Sequence, residues 1–583
     1  MFLKPCYRTR QGKRHAYWAL VESLRTARGP RHRVVAYLGQ MNESARRGVK
    51  AAAGQAGAST LFDQTGGSCA EVDVRKVRVE RCLDFGGPWL GWEILKKLDL
   101  LDVLDKIMPS GREEIPWPLM AAVLVLCRLC EPSSELRLVE HLYKQTALAD
   151  LLGVPADKIN EHRVYRALDH VVFHKEALQT FLKNQVGHLF DLKYDLLLYD
   201  MTSTYFEGQA NANPKAQRGY SRDHRGDCKQ VCIALVVSRE GIPVGYETFA
   251  GNRADVTTVQ EIVQTMEDRY GRADRIWVMD RGMVSQDNME FLREGGRRYI
   301  VGTPKGMLRQ FERHLLSQPW QSIREGLEVQ LVPSPDGQET YILCRSADRG
   351  RKEQAMHERF ERRIEKGLRE MEESCCKRKY KLVTVAKRLG RLLGHNSRAA
   401  GLFETDVVVG PDGGARVVWH KAEAWRKWAQ LSEGCYLLRS NVKDWSAQEL
   451  WEAYIQLTQA EAAFRVHKSD LSIRPIWHHK ENRVDAHILV CFLAYVVWKT
   501  LGLMCKRAGL GDEPRRVLDE LSRIKVVDVV LQTRGGTEIR RRCVTRPDDH
   551  QAILLQHLGL NLPEYLPLTD EKPTPTENKT SAM

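Results

Sequence analysis

Two apolar runs in the sequence end on a carboxylate. "YDLLLYD" climbs to Asp200 and "RIWVMD" to Asp280, and each gives way at once to polar residues or glycine ("MTSTYFEG", "RGMVSQ"). Both runs read as buried strands, and ligands of an open α/β sheet sit beyond the carboxyl ends of its strands. Two carboxylates brought together there repel unless a proton or a metal ion neutralises them. Oxygen-only ligands at a phosphate site favour Mg²⁺ or Mn²⁺. A pair of such ions can activate a water or a 3′-hydroxyl and stabilise the leaving oxygen. The bland alternative is that each Asp caps a turn, a common duty of Asp at a strand end.

A two-metal site wants a third carboxylate, and Glu461 is the best placed. Tyr454, Glu461 and Lys468 recur every seven residues in "WSAQELWEAYIQLTQAEAAFRVHKSDL". Seven residues is close to two helical turns, so an aromatic, an acid and a base share one face of a helix running to about residue 469. Equally, Glu461 could be a surface acid paired with Arg465 one turn on. Ser203 and Tyr205 offer nucleophiles for covalent chemistry, but no activating base or Arg cluster accompanies them. Thr202 and Ser203 read instead as hydroxyls satisfying backbone at the strand end.

These residues need elements to hold them. From residue 194 the pattern gives three strands ("YDLLLYD", "QVCIALVVS", "PVGYETFA"), then helix, strand, helix, strand ("DVTTVQEIVQTMEDRYG", "RIWVMD", "SQDNMEFLREGG", "RYIVGT"), an α/β sheet. Residues 303–440 interrupt this order. They hold strand-like pieces ("LEVQLVPS", "ETYILCRS", "KLVTVAK", "RVVWH") and, over 351–380, a segment with 17 charged residues in 30, read as a solvated helix without chemistry. Ser446 with Glu449 forms a capping box at the start of the Glu461 helix. "RVDAHILVCFLAYVVWKTLGLM" follows as a buried helix. Upstream, residues 88–190 are helical by period, with a break at "EPSS" where Pro132 ends one helix and a Ser caps the next. Residues 1–45 read as short strands, "HAYWALVESLR" and "RHRVVAYLGQ" flanking a Gly-Pro turn. Residues 48–68 are small and Gly-rich, a linker. Residues 521–550 read as short strands, and 571–583 are too polar to form a core.

The chain of 583 residues carries a net charge of +14, and its first fifty residues hold 12 Lys/Arg against 2 Asp/Glu. A block so lopsided is either a solvated surface or a patch for a polyanion, and the imbalance favours nucleic acid. The longest apolar run, residues 488–498, is too short for a bilayer, which needs about 20 residues. The first residues lack the apolar stretch of a signal peptide. A soluble, cytoplasmic protein is expected. Its 14 cysteines are scattered, and Cys127 and Cys130 read as buried thiols rather than half of a zinc site. His478 and His479 read as surface histidines. Trp477 could stack on a base or pack in the core, and Lys305 is a weak candidate for DNA contact.

Taken in order, four stretches resemble the DDE transposases of bacterial insertion sequences. They are "YDMTSTYFEG", residues 219–259 ("GYSRDHRGDCKQV" to "ADVTTV"), "VMDRGMVSQDN", and the Glu461 helix with "RPIWHHKENRVDAHILVCFLAY" after it. The resemblance spans most of residues 1–565. It implies an α/β, ribonuclease H-like catalytic core split by a strand-rich insertion. It also implies that Asp200, Asp280 and Glu461 bind the metal, Mg²⁺ with Mn²⁺ as a substitute. The helix signature Y-x2-R-x3-E-x6-K is met by Tyr454, Glu461 and Lys468. Leu457 stands where the Arg should be, and Arg465, one turn after Glu461, is the proposed replacement for that phosphate contact.

The implied activity is hydrolysis at the element's ends, followed by attack of the freed 3′-hydroxyl on target DNA. The implied partners are double-stranded DNA (terminal inverted repeats and target) and a second copy of the chain in the DNA-bound assembly, with no membrane. The setting is a bacterial cytoplasm, at the nucleoid during reaction. A dead or domesticated DNA-binding copy, and a metal-dependent nuclease of the same fold without strand transfer, stay as alternatives. The expected layout is a basic β segment and linker (1–80), a helical DNA-end-binding domain (81–190), the core's first part (191–302), the insertion (303–445) and the core's second part (446–510). A small C-terminal region (511–570) and a disordered tail (571–583) complete it.

Overall fold

The computed structural model describes residues 2–10, 13–26, 29–39, 72–317, 319–533 and 536–568. The expected linker at 48–68 and tail at 571–583 lie outside these residues. The chain forms two compact units, one of residues 1–78 with 530–540 and the other of 79–529 with 541–583.

In the first unit, β1 (Phe2–Arg10), β2 (Lys13–Thr26) and β3 (Gly29–Gly39) make an antiparallel sheet in that order. The expected hairpin is β2–β3, but Gly29 and Pro30 pair with Thr26 and Arg25 and so open β3 instead of forming the turn. Ala19 and Val21 of β2 are buried.

After strand β4 (Arg78–Asp84) come helices: α1 (Gly86–Lys97), α2 (Leu100–Ile107), α3 (Trp117–Cys130), α4 (Glu161–Val171) and α5 (Lys175–Phe190). After "EPSS" the Ser134 side chain accepts the Arg137 backbone N–H, the expected cap. Cys127 is buried, Cys130 half-buried, and both are free thiols.

A nine-stranded sheet follows. Its strands are β5 (Leu196–Tyr205), β6 (Gln230–Val237), β7 (Pro243–Ala250), β8 (Ile276–Met279), β9 (Arg298–Gly302), β10 (Gln321–Arg324), β11 (Leu327–Pro333), β12 (Thr340–Ser346) and β15 (Cys435–Ser440). The order is β10-β11-β12-β15-β9-β8-β5-β6-β7. Only β5–β8 and β8–β9 are parallel, and all other neighbours run antiparallel. Helices α6 (Val259–Tyr270) and α7 (Gln286–Glu294) make the crossovers to β8 and β9. Most strands drawn from residues 303–445 therefore extend the same sheet. Apart from it stand the hairpin β13–β14 (Phe403–Val409, Ala415–Lys421), the charged helix α8 (Ala347–Lys377) and α9 (Leu382–His395). "KLVTVAK", expected as a strand, lies at the start of α9. Val385 and Leu389, four apart, bury one stripe against α8, and that packing outweighs the local β-branched residues.

The strands of the sheet's centre are buried on both faces, as helices on either side require. Alternation splits β5 between two cores. Leu197, Tyr199 and Met201 pack with α6 and α7. Leu196 and Leu198 join the larger core with α11 (Ala447–Ile455), α12 (Thr458–Ser469) and α13 (Glu481–Arg507). Asp200 shares the parity of Leu198, so it faces the helices that carry Glu461. The capping box at Ser446 and Glu449 is present. The expected single helix to residue 469 is two, α11 and α12. At the joint the Leu457 and Ala460 N–H groups bond three residues back, to Tyr454 and Leu457, a tightened turn. The apolar run 488–498 lies inside α13, whose 27 residues make it long and apolar enough to cross a bilayer, but 89% of its most apolar window is buried in the protein.

Candidate active site

The sheet's register sets the two aspartates side by side. Tyr199 of β5 is level with Met279 of β8 in the parallel pair, so Asp200 and Asp280 occupy the next position on adjacent strands. One expectation needs correction here. β5 does not end at Asp200 but runs on to Tyr205, with Asp200 opposite Leu235 of β6. What ends at Asp200 is only the pairing with β8. Met201 to Thr204 are fully enclosed and rich in β-branched residues, so they continue the strand rather than turn. Thr202 and Ser203 are therefore interior strand residues, and Ser203, with no exposed surface, is no accessible nucleophile.

Asp280 takes the cap position of the short turn Arg281–Met283, yet its side chain makes no capping hydrogen bond. Its Oδ1 is met by the Tyr454 hydroxyl at 3.5 Å. Burial, together with the charges of Asp280 and Glu461, pushes the Asp200 carboxyl up to about 7, although the Met201 N–H and Arg222 act in the opposite direction. The Met201 N–H donates to Asp200 Oδ1 at 2.8 Å. Glu461 is exposed on α12 and, among the described residues, makes no ion pair with Arg465, which is also exposed. Its charge acts on Asp200 instead. Asp200, Asp280 and Glu461 thus form an excess of negative charge with oxygen donors only, a set that suits a hard divalent cation. Among the described residues, the trio of candidate ligands drawn within 4.8 Å of one another is a different one, Glu135–His478–His487, and the three acids stand wider apart.

Lys468, on the Glu461 helix, donates from Nζ to Asp223 Oδ1 at 2.9 Å, and Arg474 reaches the same oxygen. Arg222 pairs with Asp255. Sequence reading passed over Arg222 and Asp223. The signal was the dense run "YSRDHRGD", in which buried charge needs partners from afar.

His478 corrects another expectation: it is buried, whereas His479 and Trp477 are exposed. Its Nε2 lies 3.3 Å from Glu135 Oε1, and His487 Nδ1 and Arg128 Nη2 each lie 3.6 Å from that oxygen. His487 Nε2 faces the Ile473 carbonyl at 3.1 Å. Arg128 already brings a fixed cation to this carboxylate, so the trio reads as a buried ion network joining α3 and the turn after it to His478 and to His487 of α13.

Residues 191–497, more than half of the chain, match the family model described as transposase DDE domain, and the chain belongs to that family. Residues 3–60 match a second model, IS1634 family transposase, N-terminal domain, so the protein is a DDE transposase of an insertion sequence. The solved "piggyBac transposase synaptic complex with hairpin DNA" resembles 78% of this chain over 82% of its own, at 8% identity and a TM-score of 0.36, too loosely to carry an argument. No curated protein matches.

Proposed function

We propose that the protein cleaves the ends of its insertion element and joins the 3′-hydroxyl to target DNA, with Asp200, Asp280 and Glu461 as the metal-binding residues. One observation carries this reading: two aspartates level on adjacent parallel strands, with the helix that bears Glu461 packed against the strand of Asp200. The strand order β7-β6-β5-β8-β9, antiparallel then parallel, supports a ribonuclease H-like core interrupted before α11 by residues 303–445.

Asp200, Asp280 and Glu461 would hold Mg²⁺, with Mn²⁺ as substitute, and the bound ion would supply Lewis-acid chemistry for phosphoryl transfer. The chain's own groups position the rest. Tyr454 holds Asp280 by its hydroxyl. Arg465 lies exposed on the Glu461 helix, where it meets a backbone phosphate, a contact that sets register without reading bases, while the expected phosphate contact of Lys468 gives way to its ion pair with Asp223. The basic residues 1–50 and the helices α1–α5 bind terminal repeats, and two copies act together on paired ends.

The test uses the full chain and a duplex bearing the terminal repeat found beside its gene. Asp200→Asn, Asp280→Asn and Glu461→Gln are each expected to lose Mg²⁺-dependent cleavage and strand transfer while still shifting the duplex in a gel. Undiminished cleavage by any of the three would remove that residue from the site. Cleavage without joining in the parent protein would instead mark a nuclease.

A further inference from the structure

Beside Asp280 lies a cavity of about 200 Å³ between β9, β15, α8 and α11. Arg281, Lys305, Arg349, Tyr436 and Tyr454 line it with Asp280. Three cations and two phenols make a wall of donors, and against them stands one carboxylate at the edge. Lys305 and Arg349 both come from residues 303–445, the stretch read from sequence as structural.

The two cations are held in place rather than hanging free. Glu353 accepts from Lys305 Nζ at 2.7 Å, from Arg349 Nε at 3.2 Å and from the Gly434 N–H at 3.0 Å. The Arg349 guanidinium also lies over the Tyr436 ring, 4.7 Å from its centroid. Only Nε of Arg349 is engaged by Glu353. Both terminal nitrogens lack hydrogen-bond partners among the described residues, leaving the planar edge that binds phosphate oxygens in pairs. Two positive charges share one carboxylate, so one is left over, and Arg281 adds another. A small site with excess positive charge and a fixed guanidinium suits an anionic tetrahedral group.

Leu457 gives the site its purpose. It occupies the position at which the helix signature calls for Arg, and it is 7% exposed, packed into the core. The helix therefore offers no guanidinium at that position. We propose that the cavity is a phosphodiester subsite, in which Arg349 and Lys305 grip a backbone phosphate of the end DNA next to Asp280 and, together with Arg465 of α12, supply the charge that Leu457 lacks. This inference rests on the transposase reading of the same site. Glu353 is its positioning residue.

Binding is measured in EDTA, so that it is independent of cleavage, using the full chain and the same terminal-repeat duplex. Each duplex phosphate contact contributes about 0.9 to the slope of log K against log salt. Arg349→Gln and Lys305→Gln are each expected to lower that slope by roughly one, while Arg349→Lys retains it. A set of duplexes, each with one phosphate neutralised as a methylphosphonate, supplies the second readout. One position near the scissile bond should weaken the parent protein but leave Arg349→Gln unaffected. Glu353→Gln should keep the salt slope but blunt that positional preference. Parent-like slopes in both charge-removing variants, with parent-like sensitivity at every phosphate, would overturn the proposal. If Asp200→Asn still cleaves, the catalytic assignment falls by itself, because the EDTA slopes do not depend on it.

Discussion

His467 sits one residue before Lys468 on the inward side of α12. Its ring packs 4.5 Å from that of Tyr495, and Nδ1 lies 2.8 Å from the Ala463 carbonyl. Burial pushes its pKa down to about 4 from 6.5, so the folded protein keeps it neutral. The unfolded chain takes up the proton first as pH falls. Stability conferred by the neutral ring is therefore complete above about pH 6.5 and is lost as pH drops toward 4, by roughly 3 kcal/mol. Urea unfolding between pH 7 and 4 should show this loss, and His467→Phe should flatten it. At this scale Asp200 and Asp280 were legible because each ends an apolar run, and Glu461 because it falls in the seven-residue spacing of Tyr454 and Lys468. His478 and Asp223 were not, because what buries them is a partner far off in sequence: Glu135 for the first, Lys468 and Arg474 for the second. Arg349 was hidden by its setting at the start of a charge-rich helix, where one more Arg carries no signal.

At the scale of elements, β9 and α11 meet at Gly302. A Cβ there would lie 2.5 Å from the Tyr454 hydroxyl and 3.1 Å from the Arg281 nitrogen. Gly302→Ala should drive the Tyr454 ring off Asp280 and cost about 1–3 kcal/mol by overpacking. A lower melting temperature together with slower cleavage is the expected pair of results, and an unchanged cleavage rate would detach Tyr454 from the chemistry. The element types around the acids followed from period and capping. The elements that differed did so for tertiary reasons. β5 outran Asp200 because β6 continued to offer backbone partners after β8 had stopped. The start of α9 took a helix because α8 presents it with an apolar face. The joint between α11 and α12 changes the helix without dispersing its residues: Tyr454 meets Asp280, Glu461 acts on Asp200, and Lys468 meets Asp223.

Across the second unit, α13 is the shared core. Its side chains pack with the helices of residues 86–190 and with the sheet in a single cluster, and the Glu135 network lies along the same seam. Removing one member of a buried ion network strands the others, at a cost of about 3–5 kcal/mol. Glu135→Ala should lower the unfolding free energy measured in urea by that amount, whereas Glu131→Ala, whose exposed pair with Arg137 is 2.8 Å long, should change it by less than about 1 kcal/mol. Composition and period revealed the helices and the sheet, but not which strand lies next to which. Strand β15 is the telling case. It joins β9 to β12, the later of which ends at Ser346, 89 residues before β15 begins at Cys435. Without residues 435–440, strands β10-β11-β12 and strands β9-β8-β5-β6-β7 have nothing to join them into one sheet, and at that point of synthesis Glu461 has yet to be made. A message cut or frameshifted within that interval yields a chain with both aspartates and no third acid, with unpaired strands open to aggregation. On the proposed assignment of Glu461 as third metal ligand, the order of synthesis would keep an unfinished chain from cutting DNA.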